Sequence, residues 1–128
     1  MISISEFRTM LKFSPDTAYP GSSMQTPSSG HCAVVSYLVH LEFGFDMVSA
    51  MVSHDGGQVS HWFNRNKGAW LFDVDLTSDQ FGKEKVLYST KEELYPNSKI
   101  RKVEDLSEET KQRAKLLAQR SNLGYLFE

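Results

Sequence analysis

The stretch from Cys32 to Phe43 constrains this chain most. Ala33, Val34, Val35, Tyr37, Leu38, Val39 and Leu41 put apolar side chains nearly all the way round a helix of that length. A helix with no polar face has to be covered on several sides, which marks it as a buried central element. Ser28 or Ser29 can cap its start, and Gly44 can close its end. Cys32, the only cysteine in 128 residues, then sits in the first turn. There it lies among backbone N–H groups that have no intrahelical partner.

The segments that follow supply a sheet for this helix to pack on. Met47–Ser53, Gln58–Asn64 and Ala69–Asp75 read as strands. His54-Asp55-Gly56-Gly57 is a turn between the first two. A three-residue loop, Asn66-Lys67-Gly68 with Gly68 left-handed, closes the second pair. That register pairs Arg65 with Ala69 and His61 with Asp73. It sets Asp75 opposite Val59, diagonal to His61 and on the same face. Trp70, Phe72 and Val74 face the other way, and a one-residue slip would carry both aspartates off the His61 face. Trp62, Trp70 and Phe72 read as core. The expected fold is α+β, a central Cys-bearing helix on an antiparallel sheet of three to five strands.

Around this core the pattern is simpler. Ser3–Phe13 reads as a helix, with Ser3 and Glu6 forming a capping box and Ile4, Phe7, Met10 and Leu11 on one face. Residues 14–29 form a loop with Pro15, Pro20, Pro27, Gly21 and five serines. A connection that long is commonly functional, and this one leads straight into Cys32, so it is expected to wall the site. Val86–Ser89 is a short strand and Lys91–Asp105 a loop. Ser107–Ser121 is a helix capped by Ser107, with Glu108 and Glu109 in its first turn. Its apolar face is thin (Ala114, Leu117, Ala118), and Arg113, Lys115 and Arg120 make it basic and exposed. A single domain is expected, with a site-bearing core at 14–82 and a peripheral segment at 83–128.

Composition narrows the function. The net charge of −2 carries no global nucleic-acid signature. Residues 1–82 hold 4 basic and 8 acidic side chains, and residues 83–128 hold 10 and 8. One cysteine excludes an intramolecular disulfide framework and a cysteine-based zinc cluster, and a lone thiol fits a reducing cytoplasm. The start of the chain does not read as a signal peptide, and no window reads as a membrane span. No cofactor and no membrane or nucleic-acid partner is expected, and a protein or peptide substrate is favoured over a small molecule.

Thiol, imidazole and carboxylate occur in that order at the edges of different elements. A nucleophilic cysteine needs its thiolate form, which a helix N-terminus and a nearby imidazole both favour. The imidazole needs a partner that fixes its tautomer. Cys32, His61 and Asp75 fill the three roles, with Asp73 the rival of Asp75 as orienter. The Cys32 N–H can stabilise an oxyanion, and Gln25 or His31 can supply the second donor. Trp62 and Asn64 join Gln25, His31 and Asp73 as candidate substrate-binding residues. Plainer readings stand beside each. A cysteine in an apolar helix commonly serves as a small core residue. His61 can be a satisfied strand histidine, Asp73 and Asp75 solvated strand ends, His40 structural and His54 exposed in its turn. His54, His61, Asp73 and Asp75 also make a possible metal-ligand set, though at no known motif spacing.

The motifs Gly30-x-Cys32-Ala33-Val34, His61-Trp62-Phe63-Asn64-Arg65 and Asp75-Leu76-Thr77-x-x-Gln80-Phe81, with Phe13-Ser14-Pro15-Asp16-Thr17 ahead of them, resemble the YunG-like family of small bacterial proteins. The resemblance covers roughly residues 10–85. That pattern usually has Gln before the cysteine, where this chain has His31. At longer range, a Cys at a helix start, a His on a strand and an Asp on the next strand are similar to the transglutaminase-like and papain-like core. There Leu76 stands where transglutaminases have Pro. This wider resemblance implies thiol-based acyl chemistry on an amide, ester or isopeptide bond. The expected function is a small intracellular cysteine hydrolase or acyltransferase. A non-catalytic binding module that keeps the fold is the alternative, and a metal-dependent hydrolase the third reading.

Overall fold

The computed structural model describes residues 2–22, 26–54, 56–67, 71–81, 87–90 and 94–128. Among them the fold is α+β. Helices α1 (Ile4–Met10), α2 (Cys32–Phe43) and α3 (Glu108–Arg120) accompany strands β1 (Asp46–His54), β2 (Gly57–Lys67), β3 (Leu71–Asp75), β4 (Leu87–Thr90) and β5 (Lys99–Arg101). The strands form one antiparallel sheet in the order β4-β3-β2-β1-β5. No helix among these residues is long and apolar enough to cross a membrane.

Local chemistry sets the element ends. Ser3 and Glu6 form the capping box of α1, and Ser107 Oγ accepts the Thr110 N–H at the start of α3. Gly44 closes α2 at φ +73°, in the left-handed region. The start of α2 differs from expectation. His31 takes the N-cap position and no side chain caps it. Ser28 Oγ instead donates to Asp79 at 2.6 Å, and Ser29 Oγ lies 3.1 Å from that of Thr26. Gly30, at φ +77°, delivers the chain to this point, and a Cβ there would sit 2.1 Å from Ser22 Oγ.

The hairpin register also differs. Lys67 pairs with Leu71, Arg65 with Asp73 and Asn64 with Val74. β2 runs further and β3 starts two residues later than expected, so Asp73 faces Arg65 and not His61. Residues 68–70, Gly68, Ala69 and Trp70 among them, lie outside the described residues. The displacement is even, so His61, Arg65, Asp73 and Asp75 still share a face. The β1–β2 turn closes at His54↔Gly57, with Gly56 at φ +79°. Lys99–Arg101, expected as loop, is an edge strand against Met47–Ser49.

One core joins Phe7 of α1 and Leu11 just after it, Val34, Val35, Leu38 and Val39 of α2, Val74, Leu76, and Ala114, Leu117 and Ala118 of α3. A second joins Val48, Ala50, Phe63 and Tyr95. The Asn64 amide donates to Ser36 O at 2.9 Å, tying β2 to α2. Arg8 donates to Leu76 O at 2.7 Å and pairs with Asp79 at 3.1 Å. Together with the Ser28–Asp79 bond, this clamps the segment after β3 against the loop that leads to Cys32.

Candidate functional site

Pairing of β2 with β3 runs from Asn64 to Lys67. His61 lies beyond it, where the chain leaves Asp75 and turns through Ser78–Phe81. The His61 ring is completely buried. Its Nε2–H donates to Asp75 Oδ2 at 2.7 Å. The same carboxylate oxygen accepts the Tyr95 hydroxyl at 2.5 Å, and Oδ1 accepts the Thr77 N–H at 3.1 Å. With the Thr77 hydroxyl at 3.5 Å from Oδ1, four donors satisfy this fully buried carboxylate. Because a carboxylate only accepts, Asp75 places the neutral ring's proton on Nε2 and leaves Nδ1 as the basic nitrogen.

Nδ1 is the nitrogen that remains, and Cys32 is close enough to the ring to favour its protonated form. Burial alone would push His61 down. The hydrogen bond to Asp75 and the charge of that carboxylate, with Cys32 adding to them, outweigh it and raise the ring from 6.5 to about 9. Burial and the Asp75 charge push the Tyr95 hydroxyl far above the ordinary phenol range. The ring is boxed edge-on by Phe81 at 4.7 Å and Tyr95 at 5.3 Å between centroids. Gln80 Nε2 donates to Thr77 O at 3.0 Å and lies 3.5 Å from Nδ1, which fixes the orientation of its amide over the ring.

Cys32 is partly exposed and lines a cavity of about 710 Å³. Trp62, Gln80 and Phe81 form one side of it, and Thr110 and Arg113 of α3 line it as well.

Residues 5–123 match the family described as YunG protein. The chain belongs to the YunG family. No curated protein and no solved structure matches it.

In this YunG chain the other expected site residues divide. Trp62 lines the cavity, with the Arg101 guanidinium 5.8 Å from its ring. His31 does not line it. At neutral charge its Nδ1–H donates to Ser29 O at 3.0 Å and its Nε2 accepts the Thr17 hydroxyl at 2.7 Å, so no donor remains for an oxyanion. Asp73 is spent on Arg65, at 2.6 and 3.1 Å, and on the Leu94 N–H at 3.0 Å, which leaves Asp75 alone on His61. Asn64 holds Ser36 O and Asp46 O and is structural. Gln25 lies outside the described residues.

His54 is half-buried against Phe81, at 5.2 Å, and lines the cavity. His54, His61, Asp73 and Asp75 do not converge, and no described group of three or more His, Cys, Asp and Glu could hold a metal. Sequence reasoning missed Gln80, Phe81, Thr77, Tyr95 and Arg113 as site residues. The first three stood in the Asp75–Phe81 motif and could have been found there. Tyr95 stood in a segment with no periodicity, and Arg113 in a helix that reads as solvent-facing.

Proposed function

We propose that this YunG protein is a thiol-dependent acyl hydrolase or acyltransferase with Cys32 as nucleophile, His61 as proton carrier and Asp75 as its orienter. One observation carries the reading. A completely buried His61–Asp75 bond of 2.7 Å lies beside Cys32, whose side chain lines a cavity. Buried ion pairs cost desolvation energy, and perturbed groups of this kind gather where chemistry is done. The order of Cys at a helix start and His and Asp on adjacent strands, similar to the papain-like and transglutaminase-like core, supports the same reading.

The steps follow from the atoms present. The Cys32 sulfur bonds to the substrate carbonyl carbon while the C=O π pair moves onto oxygen. The N–H of Cys32, at a helix start without a side-chain cap, donates to that oxyanion. Collapse breaks the bond to the amine or alcohol, which leaves with the proton from His61 Nδ1. Water, or an acceptor amine in transfer, then gives a proton to Nδ1, attacks the thioester carbon and expels the thiolate. Asp75 stabilises the imidazolium throughout. The cavity volume suits a peptide segment of a few residues. Amide, ester and isopeptide bonds all satisfy this scheme, and a reducing cytoplasm would keep the thiol available.

Iodoacetamide labelling read by mass spectrometry tests the reading. Cys32 should be alkylated in the folded protein at pH 7, and His61→Ala should slow this by about 10²-fold. A thiol that is inert when folded and labels only on unfolding refutes the enzyme and leaves a binding module.

A further inference from the structure

Arg113 is the cation of the Cys32 cavity that has no anion. It lines the cavity from α3, one helical step beyond Ser107 and Thr110, which line it too. Its Nη2 donates to Thr110 Oγ1 at 3.0 Å, and its guanidinium carbon lies 5.7 Å from the centre of the Tyr19 ring. Its Nε is buried and has no hydrogen-bond partner. Among the described residues neither Nε nor Nη1 has an acceptor, and no carboxylate pairs with the group. Three of the other four arginines are paired with carboxylates, while Arg101 donates to Ser49 Oγ at 2.7 Å. Arg8 pairs with Asp79, Arg65 with Asp73 and Arg120 with Asp16. The acidic residue in the lining, Asp105, is exposed and accepts the Lys102 N–H at 2.9 Å. A guanidinium kept half-buried without an anion is incomplete, because a charged donor without an acceptor carries its desolvation penalty uncompensated.

We infer that Arg113 is a specificity residue that binds a carboxylate of the substrate, so that the acyl compound processed at Cys32 carries a free carboxylate. The inference rests on the thiol reading above. A planar fork of N–H donors matches a carboxylate in two parallel bonds, with Nη1 and the second N–H of Nη2 as the available pair. Tyr19, two-thirds exposed, lines the same cavity and presents its ring to the guanidinium. The cavity then has two poles, a nucleophile at Cys32 and an anion anchor at Arg113.

Two alkylating reagents of nearly the same size read this directly. Iodoacetate carries a carboxylate where iodoacetamide carries a neutral amide. Both rates at Cys32 are measured in the folded protein and referred to the same reagents with free cysteine. The wild type should favour iodoacetate, and Arg113→Gln should lower the iodoacetate-to-iodoacetamide ratio by about tenfold, the iodoacetamide rate in each variant serving as its own reference. Arg113→Lys keeps the charge and guards against a folding loss in the Gln variant. It should still lose most of the ratio, because an ammonium cannot form the fork.

A second arm names the carboxylate. Short peptides are compared as protectants of Cys32 against iodoacetamide, either with a free C-terminus or amidated and bearing a glutamate. Protection by the first assigns a terminal carboxylate, and protection by the second a side-chain one. A ratio that does not respond to Arg113, with Cys32 still reactive, overturns the carboxylate inference alone. A Cys32 inert to both reagents overturns the thiol reading beneath it.

Discussion

Two histidines flank the candidate nucleophile, one beside it in the chain and one beside it in space. Both rings are completely buried. His31 sits in the loop-to-helix junction, bonded to a hydroxyl and a carbonyl, and stacked on Phe13 at 4.6 Å. His61 sits on β2, paired with Ala50 of β1 but beyond the end of the β3 pairing, and is bonded to a carboxylate. Burial pushes the first below its ordinary value, because nothing anionic faces it and the Arg113 charge also opposes protonation. The second is raised to about 9 against the same burial. Equal burial with opposite outcome shows that the partner, not the depth, decides what a buried histidine can do. His31 is a neutral strut that holds the helix start, and His61 is a proton store.

The comparison breaks most severely if the carboxylate is removed. Asp75→Asn keeps the shape and leaves burial as the main force on His61, which is the situation of His31. The ring should then titrate below 6.5 by NMR, where the unmodified protein titrates near 9. Its tautomer is no longer fixed, so Cys32 alkylation at pH 7 should slow by about 10²–10⁴-fold. Retention of both the rate and the high titration point would mean that Asp75 is not what separates the two histidines.

How much of this was legible in the sequence follows from range. Features written within four residues were readable: the Ser3–Glu6 box, the Ser107 cap, the Gly44 stop and the apolar round of α2. Face parity was readable too, because alternation survives any even displacement. The register itself was not. Gly68 offered a plausible closure two residues before the observed one, and only pairing along the whole ladder decides between them. The roles of His31, Asn64 and Asp73 failed for a related reason. Each is polar and close to the site in the chain, but each is taken by a structural partner distant in sequence or hidden in a turn: Thr17, Ser36 and Arg65. Three-residue β5 has no period to read and exists through β1 alone. Arg113 looked like solvent-facing charge because its helix is polar on most sides, and only the packing of α3 on α2 turns it to the Cys32 cavity.

A milder test sharpens the contrast through stability against pH. The folded value of His61 lies above the 6.5 of an unfolded chain. Its contribution is therefore fully present below about 6.5 and is lost as pH rises through about 9. Its size is about 3 kcal/mol at most. The folded value of His31 lies below 6.5, so its contribution is present above that pH and is lost as pH falls through the folded value. The two rings tilt the stability curve in opposite directions. In urea titrations across pH, His61→Gln should flatten the alkaline limb and His31→Gln the acid one. An alkaline limb that survives His61→Gln would show that this ring is not the group being titrated.

The smallest effect concerns Tyr95, whose hydroxyl shares Asp75 Oδ2 with His61. Tyr95→Phe removes one of four donors from the buried carboxylate while the ring packing against His61 and Phe63 stays. The loss of a hydrogen bond to a buried charge costs about 2 kcal/mol, measured by denaturant unfolding. His61 keeps its bond to Asp75, so Cys32 alkylation should slow by less than about tenfold. The direction of the titration shift is the sharper reading. A carboxylate with one donor fewer is a stronger base and holds the imidazolium more firmly, so His61 should titrate higher than in the wild type, not lower. A downward shift would mean that Tyr95 holds Asp75 in place against His61, and that without it the carboxylate turns away and leaves the ring to burial, as His31 is.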